Sequence, residues 1–146
     1  MTTTRSASRP LGDIMTDPSL GLPTIDMAVP MPGFPALREF VLVRLHDQGL
    51  LYAFTSLDNP ELRFLVAPPE PFFPDYAPEI DESVLAALNT KDPNRLLLLV
   101  VISAGVDDTT ANLLAPIVVD QDSRRAMQVV LTGSGMPMRA VMRRVS

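Results

Sequence analysis

The residues that could act as catalytic groups are few in this 146-residue chain. His46 is the only histidine, and the absence of cysteine excludes a thiolate nucleophile, a disulfide and a cysteine metal site. The local sequence places His46 in a turn between two strands, and no nucleophile-elbow sequence accompanies it. Residues 132–135 (TGSG) resemble a phosphate loop but lack its lysine and its spacing. These features predict a protein that is not an enzyme and that holds no cofactor.

Two pairs of carboxylates could bind a hard cation such as Ca²⁺. Asp107 and Asp108 are adjacent, and Asp120 and Asp122 are separated by one residue. Calcium-binding loops supply more oxygen ligands than a pair, at a fixed spacing that ends in a glutamate, and neither pair has that context. The sequence therefore predicts no metal site.

The acidic residues are concentrated in one long stretch of the chain. All seventeen lie between Asp13 and Asp122, where only five lysines and arginines accompany them, so the balance is −12. A body this acidic repels phosphate backbones and attracts basic partners, although acidity can also serve solubility alone. The arginines from Arg124 to Arg144 have no aromatic residues among them. We therefore predict no direct binding of nucleic acid.

No segment has the length of a membrane span. The longest unbroken apolar run, Leu96 to Ile102, has seven residues, whereas a transmembrane helix needs about 20. The first fifteen residues lack the apolar region of a signal peptide. The sequence therefore predicts a cytoplasmic protein with no membrane contact.

Residues 68–80 combine five prolines with three aromatic residues. Proline is excluded from the middle of helices and sheets, so this segment must be an excursion over the surface. In one interpretation, Phe72 and Phe73 plug one end of a barrel. In the other, they form a rigid binding edge with Asp75 and Tyr76, because aromatic side chains supply contact area at low entropic cost. We expect at least one phenylalanine to lie in the core.

The rest of the pattern is that of short strands joined by short turns. Residues 1–24 are polar and rich in proline, which predicts a flexible leader. Residues 133–146 fit a basic tail, either an edge strand or a frayed amphipathic helix. The composition predicts one helix at 81–88 and strands at 25–29, 39–45, 50–57, 62–67, 96–103, 111–114, 116–120 and 126–131. This order predicts a mainly β fold, an antiparallel barrel-like meander forming a single domain at 25–132 with one short helix.

Three blocks of sequence, in register, resemble the bacterial flagellar assembly factor family FliW. Residues 32–45 (PGFPALREFVLVRL) are similar to the family's Pro-Gly-Phe turn and the strand after it. Residues 57–80 (LDNPELRFLVAPPEPFFPDYAPEI) are similar to its Asn-Pro turn, apolar strand, Phe-Phe and Asp-Tyr. Residues 109–131 (TTANLLAPIVVDQDSRRAMQVVL) resemble its Asn-Leu-x-Ala-Pro block and the following Gln-Val-x-Leu strand. The leader and the arginine-rich tail have no counterpart in this pattern.

The resemblance implies a barrel-like protein that binds other proteins and performs no chemistry. FliW-like proteins bind flagellin and also CsrA, a dimeric RNA-binding translational repressor. When flagellin is secreted, the freed factor captures CsrA and relieves the repression of flagellin synthesis. We expect the same partners here, and a monomer when the protein is free. The contacts are expected in the 58–60 turn, the 70–79 loop and the 107–112 region, at Asn59, Pro60, Phe72, Phe73, Asp75, Tyr76, Asp107, Asp108 and Asn112.

Two alternatives stay open at this point. Asn112 and Pro116 could be structural, with the asparagine side chain satisfying backbone groups at a bend. The protein could also be a small-ligand-binding barrel or an enzyme of unknown substrate, since barrel mouths often hold ligands.

Overall fold

The computed structural model describes residues 24–45, 51–59, 61–90, 92–105 and 108–142. Several predicted features lie outside these described residues. They are almost all of the leader, the turn containing His46, Pro60, Asp107 and the end of the tail at 143–146.

Nine strands and one helix make up the described structure. A 3-10 turn, Pro93–Arg95, leads directly into the longest strand. The helix α1 is Glu82–Leu88. The strands are β1 (Thr24–Met27), β2 (Glu39–Arg44), β3 (Tyr52–Ser56), β4 (Arg63–Ala67), β5 (Leu96–Ala104), β6 (Thr109–Ala111), β7 (Ile117–Asp120), β8 (Arg125–Gln128) and β9 (Ala140–Val141).

Seven strands close into a barrel in the order β1-β2-β3-β4-β5-β7-β8. The predicted mainly β, barrel-like fold with one helix is therefore confirmed. Every pair in the ring is antiparallel except β8 with β1, which run parallel where Asp26 pairs with Arg125. An odd number of strands cannot alternate direction all the way around a closed ring. One parallel pair is consequently unavoidable, which a pure antiparallel meander would not have.

The interior of the barrel is filled with apolar side chains. Side chains alternate between the two faces of a strand, so every second residue points inward. The rings of Phe40 and Phe54 stack there with their centroids 4.4 Å apart. The buried cluster around them includes Ile25, Met27, Leu42, Tyr52, Val66, Leu99, Ile117, Val119 and Ala126.

Helix α1 covers part of the outer face of the barrel. Val84 and Leu88 are buried against Val118, which points away from the interior. This explains why the strand IVVD is buried at every position instead of at alternate ones. Asp81 is the N-cap, although its side chain makes no capping hydrogen bond, and Asn89 ends the helix in the left-handed conformation.

Strands β6 and β9 extend the sheet beyond the barrel. Strand β6 pairs with the second half of β5, and β9 pairs with β6 where Ala140 lies opposite Ala111. Of the two structures considered for the tail, residues 140–141 therefore adopt the edge strand.

Two predicted strands end three residues earlier in the structure than expected. The strand expected at 126–131 ends at Gln128, because its continuation runs beside Pro116, which has no N–H for a regular ladder. The strand expected at 111–114 ends at Ala111, because the Asn112 side-chain oxygen accepts hydrogen bonds from the backbone N–H groups of Leu114 and Ala115.

Candidate functional site

The segment that links β4 to α1, together with the first residue of the helix, forms residues 68–82, which we call the acidic segment. No lysine or arginine lies between Arg63 and Lys91, so no positive side chain interrupts it. Its five carboxylate residues are all exposed: Glu70, Asp75, Glu79, Asp81 and Glu82. These side chains therefore give the segment an exposed, negatively charged surface.

Phe73 and Tyr76 anchor the acidic segment to the β-sheet through packing and a hydrogen bond. Both side chains pack against a cluster of three buried residues, Val100 of β5, Ala111 of β6 and Leu113, which Met136 and Met142 also cover. The Tyr76 hydroxyl donates a 2.7 Å hydrogen bond to the Leu113 carbonyl. Burial of this hydroxyl raises the pKa of Tyr76 to about 12, because the charged form loses solvation. Phe73 is thus half-buried as an anchor, and Phe72 is half-buried beside it.

The backbone of the acidic segment folds back on itself before it reaches the helix. The N–H groups of Phe72 and Phe73 both donate to the Pro69 carbonyl, and the N–H of Tyr76 donates to the Phe73 carbonyl. Consecutive tight turns of this kind compensate for the donors that the prolines lack. Asp75 lies at the exposed tip between the two anchoring side chains.

An open groove separates the end of the acidic segment from the chain that follows β8. It has a volume of about 400 Å³, with Pro78, Glu79 and Asp81 on one side and residues 129–134 and Met136 on the other. The Val130 side chain is 54% exposed, although most large apolar side chains here are covered. The groove therefore offers an apolar surface beside two carboxylates.

The predicted turn containing Asn59 is built from its own hydrogen bonds. The Ser56 hydroxyl accepts the N–H groups of Asp58 and Asn59, and the Asn59 side chain accepts the N–H of Glu61. The Asp58 carboxylate accepts the N–H groups of residues 38 and 39, and these hydrogen bonds lower the pKa of Asp58 below its ordinary 3.8. The Asn59 side chain itself is exposed.

Asn112 occupies a bend directly after β6. Its Oδ1 accepts the N–H groups of Leu114 at 3.0 Å and Ala115 at 3.1 Å. The structural role considered for this side chain is thus present. The same bend carries the Leu113 carbonyl that Tyr76 contacts, so the fold brings two of the predicted site residues together.

Asp108 is exposed, and its carbonyl accepts the N–H of Gly105 in the turn between β5 and β6. The other acid pair serves the turn after β7. Asp120 is buried and accepts a 2.8 Å hydrogen bond from the Ser123 hydroxyl, while Asp122 pairs with Arg95 at 3.2 Å. Asp120 thus stabilises the turn that follows β7, and Asp122 connects that turn to the 3-10 turn before β5.

Sequence reasoning missed the groove, because its two walls are about fifty residues apart in the chain. The five acids from Glu70 to Glu82, with no basic residue among them, were the available signal for one wall. Nothing in the sequence marked Val130 as exposed, since it lies in a run of apolar residues that reads as buried.

The described residues contain neither a metal-binding cluster nor a membrane-spanning helix. No group of three or more histidine, cysteine, aspartate or glutamate side chains in that part of the chain could hold a metal ion. Within the same ranges, no helix is long and apolar enough to cross a membrane.

The fold and the site define a small protein with a closed, side-chain-filled β-barrel that carries an acidic surface segment. The family model described as FliW protein matches residues 7–142. A flagellar assembly factor FliW of Caldanaerobacter subterraneus subsp. tengcongensis is 36% identical over 104 residues, which cover 69% of this chain and 69% of that protein. One from Bacillus pumilus is 36% identical over 106 residues, covering 71% of this chain and 74% of the relative.

A solved structure agrees with the sequence comparisons. The crystal structure of the flagellar assembly factor FliW superposes with a TM-score of 0.76 at 30% identity, covering 81% of this chain and 84% of the other. The chain belongs to the FliW family of flagellar assembly factors.

Proposed function

We propose that this protein binds flagellin and a CsrA-type RNA-binding translational repressor, and that it antagonises the repressor. The observation that carries the second half of the proposal is the acidic segment, with five exposed carboxylates and no basic residue. A repressor that binds RNA presents basic surface, and opposite charges across an interface steer association and favour the right partner. Membership of a family of flagellar assembly factors supports the flagellin half.

The regulation needs no chemistry, and we propose that the protein acts in the cytoplasm as a monomer by binding alone. If flagellin and the repressor bind in a mutually exclusive or negatively linked way, each lowers the affinity for the other by the same factor. Export of flagellin then frees the protein to capture the repressor. Flagellin synthesis is thereby coupled to assembly, without direct contact between this protein and RNA.

Among the predicted contact residues, the structure separates exposed side chains from anchoring ones. Asn59, Asp75 and Asp108 are exposed and are proposed to face partners directly. Phe73, Tyr76 and Asn112 are proposed to act indirectly, because their contacts position the acidic segment and the bend beside it. Phe72 is half-buried and could contribute part of its ring, while Pro60 and Asp107 lie outside the described residues.

Calorimetric titration with flagellin and with the CsrA-type repressor of the same organism tests this proposal. We expect a Kd of about 1 μM or lower for each, and displacement of one by the other in competition. Binding of the repressor should weaken with added salt, because exposed charges are screened over about 8–10 Å at ordinary ionic strength. Absence of binding to both proteins at low salt would refute the proposal, and binding of flagellin alone would refute its regulatory half.

A further inference from the structure

We infer that the groove between residues 78–81 and 129–136 is the docking site for a segment of the repressor that carries a lysine or arginine beside an apolar side chain. This inference rests on the proposed function and adds to it the place and the chemistry of the contact. It differs from the expected contact regions, because one whole wall of the groove lies in the strand predicted at 126–131 and in the residues that follow it.

One wall of the groove, residues 129–136, contains several apolar side chains, and we call it the apolar wall. Val130 is 54% exposed and Met136 is partly buried, although both follow a strand whose neighbours are packed. Val129, one residue earlier, packs under helix α1, so the backbone at Val130 is held while its side chain faces the groove. Burying such a side chain against a partner is favourable by about 25 cal/mol per Å² of apolar area.

Backbone hydrogen bonds fix the position of the apolar wall. The N–H of Val129 donates to the Pro116 carbonyl and the N–H of Leu131 donates to the Leu114 carbonyl. The turn beyond is fixed by the N–H of Ser134 donating to the Leu131 carbonyl. A preformed surface loses little conformational entropy when it binds, which favours specific docking.

The opposite wall determines the charge of the occupant. Glu79 and Asp81 line the groove, and both side chains are exposed. Among the described residues neither carboxylate forms an ion pair, and the Asp81 side chain makes no capping hydrogen bond that binding would have to break. Two carboxylates beside an apolar surface complement a cationic head beside an apolar stem or neighbour. A volume of about 400 Å³ accommodates a few side chains, so the occupant is a short segment of the partner.

Two sets of substitutions with matched controls test the inference by calorimetry with the CsrA-type repressor. Glu79→Gln with Asp81→Asn removes the charge of the groove, whereas Glu39→Gln with Asp92→Asn removes the same charge from exposed positions outside both the groove and the acidic segment. We expect the groove pair to raise the Kd about fivefold at low salt and the control pair to change it less than twofold. Equal losses from both pairs would show that only overall charge matters, and would overturn the inference.

The apolar wall is tested by Val130→Asn, with Val29→Asn as its control because Val29 is exposed to a similar extent, at 42%. We expect Val130→Asn to raise the Kd for the repressor about tenfold at low and at high salt alike, because the contact is apolar and the substitution adds no charge. Thermal unfolding midpoints close to that of the wild-type protein would show that the variants are folded. Unchanged affinity in a folded Val130→Asn variant would overturn the inference.

Cross-linking identifies the occupant. A photoreactive amino acid at position 130 should cross-link a peptide of the repressor that contains a lysine or arginine, and the same group at position 29 should not. A cross-link to a second copy of this protein, or loss of flagellin binding with repressor binding intact in the groove variants, would assign the groove to another occupant and overturn the inference. If the wild-type protein binds neither partner, the proposed function itself is refuted. If the wild-type protein binds but the groove variants bind equally well, only the inference about the groove is refuted.

Discussion

Replacing Asn112 with alanine removes the acceptor of two backbone hydrogen bonds at once. The side-chain oxygen receives the N–H groups of Leu114 at 3.0 Å and of Ala115 at 3.1 Å, and both hydrogen bonds are partly buried. An unsatisfied buried donor costs about 1–3 kcal/mol, and partial access to water places each of these at the low end. We expect Asn112→Ala to lower the free energy of unfolding by about 2 kcal/mol. For a chain of this length that corresponds to a fall in Tm of roughly 4–8 °C.

Asn112→Asp is the matched control, because it keeps an oxygen acceptor in the same place. A carboxylate accepts hydrogen bonds from backbone N–H groups at least as well as an amide does, so we expect its stability to stay within about 0.5 kcal/mol of the wild-type protein. Thermal and urea-induced unfolding, followed by circular dichroism, measure both variants. If Asn112→Ala unfolds at the wild-type midpoint, or if Asn112→Asp is destabilised as much as Asn112→Ala, the acceptor role assigned to this oxygen is refuted.

Two further predictions concern ionisable groups. Tyr76→Phe should lower the free energy of unfolding by about 1 kcal/mol, because the Leu113 carbonyl loses its donor. The pKa of Tyr76 is raised from 10.0 to about 12 in the folded protein, so its protonation contributes stability below pH 10 that is lost as the pH rises toward 12. The stability of Tyr76→Phe should therefore depend less on pH, in unfolding measured across that range. The lowered pKa of Asp58 has the opposite sign: its contribution is present above pH 3.8 and is lost as the pH falls through the lowered value. Asp58→Asn should therefore flatten the acidic side of a plot of Tm against pH, and an unchanged slope would contradict the hydrogen bonds to residues 38 and 39.

Local sequence was a good guide to the elements of the barrel. The apolar residues of β2, β3, β4 and β5 predicted these strands to within two residues at each end. The helix was also predictable, because Asp81, Glu82 and Asn89 mark its ends. The strand ends that differed most lie at Asn112 and beside Pro116, where a side chain or a missing N–H interrupts a ladder.

The candidate site was only partly accessible in the same way. The acids of residues 68–82 and the aromatic residues among them were visible in the sequence. Their directions were not, because the period of a proline-rich segment does not say which side faces the barrel. The structure places Phe73 and Tyr76 inward and the carboxylates outward, so the acids and not these two rings form the exposed face.

By itself, the sequence determined the mainly β composition, the single short helix, the shortage of catalytic side chains and the excess of negative charge. These properties follow from residue types and from spacings of a few residues. The tertiary structure alone decided that β8 pairs with β1 to close a seven-stranded ring, and that residues 78–81 face residues 129–136 across a groove. Those pairings join distant parts of the chain, and their free energy comes from burying surfaces together. No local pattern encodes which surfaces will meet.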